Sequence, residues 1–275
     1  MKVELFIPCL VDQAAPETAR AALRVLERCG LEVNYNRRQT CCGQALFNSG
    51  ARKEAVELAE RFIYLFEDAE TIVTPSGSCA SMVIHHYGEL DLHPTMRKGW
   101  ESLRSRVFEF SSFLVDQLQI TNLGATFPHK VVYHPSCHLT RNLGIYEQPL
   151  TLLKNVSGLE LVGEDLPVEC CGFGGAFSVK YGKLSERIGD RRASALAATG
   201  AEYVVGADDS CLGHLSHAIG RGGYPLKAIH LARILASEGS VIPTKVGIQA
   251  SVESPSAITC LDSHLRGNDI GTHSQ

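Results

Sequence analysis

The 275-residue sequence contains no apolar run approaching the eighteen or more residues that a membrane-spanning helix needs. It has no excess of positive charge either: 26 Lys and Arg stand against 30 Asp and Glu, a formal net charge of −4. A nucleic acid or other polyphosphate is therefore not expected as its main partner. The first residues, Met1-Lys2-Val3-Glu4-Leu5-Phe6-Ile7-Pro8, carry an acid inside their apolar run and a proline behind it. A secretory leader tolerates neither well, so a cytoplasmic location is expected. Also missing are a Cys-x-x-Cys knuckle and a G-x-G-x-x-G loop, and no Walker lysine follows Gly172-Phe173-Gly174-Gly175. Nothing in the sequence resembles a flavin or nicotinamide site. What remains is an ordinary globular mixture, 44% hydrophobic and 20% charged, long enough for one large domain or two of usual size.

Against these absences stand ten cysteines, at 9, 29, 41, 42, 79, 137, 170, 171, 211 and 260. A chain with a real core in a reducing cytosol neither needs nor keeps a disulfide framework. An isolated Cys29 or Cys260 needs no function, because cysteine is often simply buried. The other eight form a repeat. Pro8-Cys9-Leu10 answers to Pro135-Ser136-Cys137-His138-Leu139, and Thr40-Cys41-Cys42-Gly43 answers to Glu169-Cys170-Cys171-Gly172. The stretch from Ala69 to Cys79 answers to that from Ala201 to Cys211. The offsets between copies, 128, 129 and 132 residues, are nearly constant.

The elements repeat with the cysteines. Residues 3–7 read as a buried strand ending at Pro8-Cys9, and Pro16 opens a helix that Gly30 stops. Residues 31–35 read as a second strand, 54–66 as an amphipathic helix, and 71–74 as a third strand turning into Cys79 and another helix. In the second copy, strands are expected at 131–133, 159–162 and 203–205. Strands alternating with helices predict an α/β chain of two tandem βαβ-type domains with mainly parallel sheets. Ligands of such sheets gather beyond the carboxyl ends of the strands, so the four cysteines of each copy are expected at one rim. Trp100, Leu103, Val107, Phe110, Leu114 and Leu118 step by three or four, which predicts a linking helix. The domains are placed at 1–125 and 126–239. Residues 240–275 hold six serines and no aromatic residue and resemble translated copies of a bacterial intergenic repeat element. They are expected to be a disordered, adventitious tail without chemistry.

Thiolates gathered in fours suit an iron–sulfur cluster or a tetrahedral zinc ion. Gly43 and Gly172 permit the sharp bend that would bring two adjacent sulfurs to one site. Widely spaced ligands suit a multinuclear cluster, in which each metal takes its own thiolate. Helix N-termini after Cys9, Cys79, Cys137 and Cys211 would favour its negative charge. Zinc, helped by His138 or His214, stays open on the motifs alone. Thiol–disulfide exchange at the vicinal pairs is disfavoured, since a disulfide between adjacent residues is strained. Eight buried structural thiols would not produce matched spacings.

These stretches resemble the cysteine-rich "CCG" domain of heterodisulfide reductase and of the glycolate oxidase iron–sulfur subunit. They are most similar to the lactate utilization protein A family. The resemblance rests on Pro8-Cys9-Leu10-Val11-Asp12-Gln13, Gln39-Thr40-Cys41-Cys42-Gly43-Gln44, Pro75-Ser76-Gly77-Ser78-Cys79, His134-Pro135-Ser136-Cys137-His138-Leu139 and the stretch from Glu169 to Lys180, and it covers residues 1–236. It implies two CCG domains and an iron–sulfur, electron-transferring oxidoreductase subunit of a system that oxidises L-lactate to pyruvate. Its implied partners are a second, ferredoxin-like iron–sulfur subunit and a third lactate-utilization subunit, with lactate or another 2-hydroxy acid as substrate of the complex. Two 4Fe–4S clusters would be bound by Cys9, Cys41, Cys42 and Cys79 and by Cys137, Cys170, Cys171 and Cys211. The heterodisulfide reductase module ends in Cys-x-x-Cys, whereas the first of those positions is Ser76 and Asp208 here. Electron transfer is thus expected rather than disulfide reduction. No catalytic residue is assigned. His85, His86, His214 and His217 are expected as solvated or capping side chains, and Lys180 as a solvated one rather than a substrate ligand.

Overall fold

A computed structural model describes residues 1–237. Cys260 and the tail expected at 240–275 lie outside the described residues.

The first copy begins with β1 (Lys2–Leu5), α1 (Cys9–Ala14) and α2 (Pro16–Arg28). Pro16 occupies the first turn of α2, where its missing N–H costs nothing, and Ala19, Ala22, Val25 and Leu26 form the buried stripe. Next come β2 (Glu32–Asn34), α3 (Gln44–Ser49), α4 (Arg52–Phe66), β3 (Ile72–Thr74), α5 (Gly77–Ile84) and α6 (Pro94–Leu103). The expected linking helix is not continuous. Val107–Glu109 is a strand, β4, paired in parallel with β3, and a single turn, α7 (Phe110–Ser112), follows it. Val107 and Phe108 fit a pleated edge beside Ile72 and Val73, and Glu109 restarts the helix by accepting the N–H groups of Ser111 at 2.8 Å and Ser112 at 3.2 Å.

The second copy runs β5 (Lys130–Tyr133), α8 (Glu147–Lys154), β6 (Glu160–Val162), α9 (Ala176–Lys180) and α10 (Gly182–Ala197). It continues through β7 (Tyr203–Gly206), α11 (Asp209–Gly222), β8 (Lys227–His230) and α12 (Leu231–Leu235). The two four-stranded sheets have the same order, β2-β1-β3-β4 and β6-β5-β7-β8, and every pairing in them is parallel. The chain is therefore α/β with a duplicated sheet topology.

One layer of core belongs to both copies. Val3, Leu5, Val25 and Leu114 pack in the same buried cluster as Val131, Leu153, Val205, Ile234 and Leu235. Each such aliphatic side chain contributes about 1.5–3 kcal/mol on burial. Each copy also has an outer core of its own, around Phe62, Ile63 and Trp100 in the first and around Leu196, Leu215 and Ile219 in the second. Polar bonds add registration at the strand ends: Gly77 N–H donates to the Ala207 carbonyl at 3.3 Å, and Ser78 N–H to the Asp208 carboxylate at 2.7 Å. These contacts bring the carboxyl ends of the two sheets together.

Candidate metal centre

In both sheets the strand order reverses beside the first strand of the copy, between β1 and β3 and between β5 and β7. The crevice beyond such a switch point is where open α/β sheets hold ligands. Cys9 opens α1 just after β1, and Cys79 lies in the first turn of α5 just after β3. Cys137 and Cys211 stand at the same places after β5 and β7, and the vicinal pairs occupy the loops after β2 and β6.

The thiols meet there. Cys9 Sγ lies 3.5 Å from Cys41 Sγ, and Cys42 Sγ lies 3.2 Å from Cys79 Sγ. In the second copy Cys170 contacts Cys137 and Cys171, and Cys171 contacts Cys211. The bend at each pair comes from glycine: Gly43 has φ +85° and Gly172 has φ +95°. That bend aims backbone donors at sulfur, with Gly43 N–H on Cys41 and Gly172 N–H on Cys170, both at 3.3 Å, and Phe173 N–H on Cys171 at 3.5 Å. All eight cysteines line a single cavity of about 190 Å³, together with Pro8, His138, Phe173 and Asp208. The sequence predicts one rim per copy; the structure turns the two rims toward the same space.

Crowding divides the thiols by protonation. Cys41 is lowered to about 3 by hydrogen bonds from Cys42 and Cys9, with Gly43 N–H assisting. Cys170 is lowered to about 2 by Cys137 and Cys171, with Gly172 N–H assisting. Their neighbours Cys9, Cys42, Cys137 and Cys171 are pushed up, first because they donate to those thiolates and then by loss of water around the sulfur. Cys41 and Cys170 are thus the thiols held toward the thiolate, the metal-binding form. In each quartet two cysteines are buried and one, Cys9 or Cys170, is exposed.

Two polar groups beside the second quartet, His134 and Arg192, were given no role by the sequence reading. His134 is buried, and a ring nitrogen of it lies within 4.8 Å of the Cys171 and Cys211 sulfurs. Arg192 Nε donates to His134 Nδ1 at 3.3 Å, while His134 Nε2 has no partner. Burial, with the Arg192 charge alongside, lowers His134 to about 3, so the ring is neutral. Glu109 is buried at the end of β4, and burial raises it to about 7. Asp208 caps α11 through Ser210 N–H at 3.1 Å and also takes the Ser78 amide. Ser76 caps α5 through Cys79 N–H at 3.4 Å. The two positions where a fifth thiol would stand are therefore helix caps.

The remaining candidates have other occupations. His138 Nδ1 approaches Cys137 Sγ at 3.7 Å, and burial lowers its pKa. His214 Nε2 meets Ser185, 3.3 Å from the carbonyl and 3.4 Å from the hydroxyl. With His217 and Arg233 it lines an open groove of about 450 Å³ beside the cysteine cavity. His86 bonds Glu89 at 2.7 Å and Asn142 at 3.1 Å. Lys180 donates to the Ser49 carbonyl at 3.2 Å, tying α9 to α3. The donors of the cavity are thus chiefly sulfur, with two imidazoles, the half-buried His138 and the buried His134, beside the second quartet. Such soft donors fit iron–sulfur clusters or zinc and do not suit magnesium or calcium.

Comparison with known proteins agrees with this geometry. The family described as CCG, a cysteine-rich domain, matches residues 3–84 and again residues 131–216. Lactate utilization protein A of Bacillus pumilus (strain SAFR-032) is 42% identical over 237 residues, covering 86% of this chain and 100% of the relative. The protein of that name from Geobacillus sp. (strain WCH70) is 43% identical over 244 residues with the same coverage. The one from Bacillus cereus (strain B4264) is 43% identical over 239 residues, covering 86% of this chain and 99% of the relative. Among solved structures, a glutamate racemase from Bacillus anthracis matches 85% of this chain and 78% of its own at 9% identity. Its TM-score of 0.36 is too low to bear on fold or function. Among the described residues, no helix is long and apolar enough to cross a membrane.

Proposed function

The chain belongs to the lactate utilization protein A family, and from that premise we propose that it is the iron–sulfur electron-transfer subunit of a lactate-oxidising system. The observation that carries this reading is the meeting of two sulfur quartets, one from each copy, around one cavity. Cys9, Cys41, Cys42 and Cys79 would hold one 4Fe–4S cluster, and Cys137, Cys170, Cys171 and Cys211 a second. The ligands are widely spaced along the chain and none forms a Cys-x-x-Cys knuckle, which suits a cluster in which each metal takes its own thiolate better than a structural zinc ion.

When bound, the clusters supply one-electron transfer. The protein supplies the thiolates, backbone N–H groups that stabilise charge on sulfur, and a buried wall that keeps water from Cys42, Cys79, Cys171 and Cys211. Cys9 and Cys170 leave an open edge at each quartet for electron exchange with a partner. Ser76 and Asp208, engaged as helix caps, favour electron relay over the disulfide chemistry of a five-thiolate site. The oxidation of lactate, or of another 2-hydroxy acid such as glycolate, takes place with a second, ferredoxin-like iron–sulfur subunit and a third subunit. Those partners complete the catalytic centre and carry electrons onward, in the cytoplasm.

Anaerobic purification with iron and sulfide analysis tests the reading. It predicts brown protein with about eight irons per chain, four from each cluster. Cys42→Ser and Cys171→Ser should each remove about half of the iron. Colourless protein containing zinc would overturn the proposal.

A further inference from the structure

Two buried pairs occupy equivalent places in the two copies and differ in chemistry. Phe6 N–H bonds the Val73 carbonyl at 2.9 Å, and His134 N–H bonds the Val205 carbonyl at 2.7 Å. Val73 and Val205 stand the same distance before Cys79 and Cys211, so Phe6 and His134 correspond. A Cβ on Gly43 would meet the Ala55 carbonyl, and one on Gly172 the Ser185 carbonyl. Phe62 and Arg192 lie equally far beyond those two residues, so they correspond as well. In the first copy the pair is aromatic, Phe6 on Phe62 edge to face at 4.9 Å, with Phe66 beside them. In the second it is the hydrogen bond from Arg192 to His134. All four side chains are buried.

We propose that His134 and Arg192 make the second cluster site the more readily reduced of the two, so that electrons pass from the first copy to the second. This rests on the reading that each quartet holds a cluster. Arginine has no acceptor, so His134 Nδ1 must accept from it and the ring proton must sit on Nε2. That buried Nε2–H has no protein partner, and the ring stands beside the sulfurs of Cys171 and Cys211. It is therefore the N–H left available to donate to sulfur once the second site is filled. It is not a metal ligand, because ligation through Nε2 would move the proton to Nδ1, against Arg192's own N–H. A donor to sulfur and a buried guanidinium both favour the more negative, reduced state. The first site has phenyl rings at the same positions and receives neither effect. The Asp208 carboxylate, where the first copy has the neutral Ser76, acts against this difference, but it takes N–H groups from both copies, Ser78 and Ser210, and lines the cavity both quartets share, so its charge bears on both sites. One electron leaves the first site as one enters the second, and no proton moves. Oxidation of the 2-hydroxy acid is the source, and a redox centre of a partner subunit is the onward acceptor.

Anaerobic potentiometric titration of the full chain, followed by EPR, tests this, with iron and sulfide measured on the same samples. The wild type should reduce in two separate one-electron steps. His134→Phe should lower the equilibrium constant of the upper step about tenfold, 59 mV for one electron, and leave the lower step in place. His134→Gln, which keeps an N–H donor, should retain most of the separation. Unmoved steps in His134→Phe at full iron content would overturn the inference while leaving the cluster reading intact. Wild-type protein without iron and sulfide would remove both. A measurement independent of any variant is 15N-histidine labelling of the wild type. A weak coupling through a hydrogen bond supports the assignment; the strong coupling of an iron–nitrogen bond, or none, contradicts it.

Discussion

Replacing each CCG glycine by alanine separates backbone strain from steric exclusion, because the two copies differ in how closely they are packed. Gly43 and Gly172 both have φ in the left-handed region, where a Cβ costs about 1–2 kcal/mol. At Gly43 the added carbon would meet nothing closer than 3.5 Å, ordinary contact with Ala55 and Leu58. At Gly172 it would come within 2.6 Å of the Ser185 carbonyl and 3.0 Å of the Gly189 nitrogen, backbone atoms that cannot swing aside. Forced overpacking of that kind adds about 1–3 kcal/mol. Gly43→Ala should therefore destabilise by about 1–2 kcal/mol and Gly172→Ala by about 2–5 kcal/mol. Urea unfolding of both variants and the wild type, under identical anaerobic conditions, gives the comparison. Equal losses, or a larger loss at Gly43, would refute the claim that the second loop is the more tightly closed.

Glu109 makes stability depend on pH. Its folded value of about 7 stands above the ordinary 4.5, so the folded state holds the proton more tightly than the unfolded state. That contribution is full below about 4.5 and is lost as pH rises through about 7, a change of roughly 3 kcal/mol. Glu109→Gln should flatten the thermal midpoint across this window; an unchanged slope would assign the dependence elsewhere. Asp208→Ala removes the cap of α11, about 1 kcal/mol, and strands the buried Ser78 N–H, about 1–3 kcal/mol more. Asp208→Asn keeps an acceptor oxygen and should recover most of that loss in the same denaturation assay.

Much of this arrangement was legible before any coordinates. The strands before Cys9, Cys79, Cys137 and Cys211 announce themselves as apolar runs ended by turn residues. The matched offsets between cysteines give the duplication. β4 was hidden because Val107, Phe110 and Leu114 satisfy a helical spacing, and a three-residue strand is too short to display its own period. Pairing with β3 settles that choice, and pairing is a tertiary fact. β8, four residues half exposed at the sheet edge, received no reading from the sequence, and its place beside β7 is likewise set by pairing. The sharing of one cavity by both quartets depends on how the sheets pack, through Leu5, Val131, Val205 and Leu235, which no motif encodes. His134 and Arg192 left a fainter signal. Carrying the internal alignment past the cysteines would have set them opposite Phe6 and Phe62, a polar pair where the other copy has an aromatic one. Lys180 offered no signal for its bond to Ser49, since a lysine on a short helix reads as solvated.

The most direct test of the central claim is anomalous diffraction at the iron edge from anaerobically grown crystals. Two compact four-iron groups are predicted, one bonded to the sulfurs of Cys9, Cys41, Cys42 and Cys79 and the other to those of Cys137, Cys170, Cys171 and Cys211. A single zinc ion in either quartet, or iron bound away from these eight sulfurs, would contradict the account.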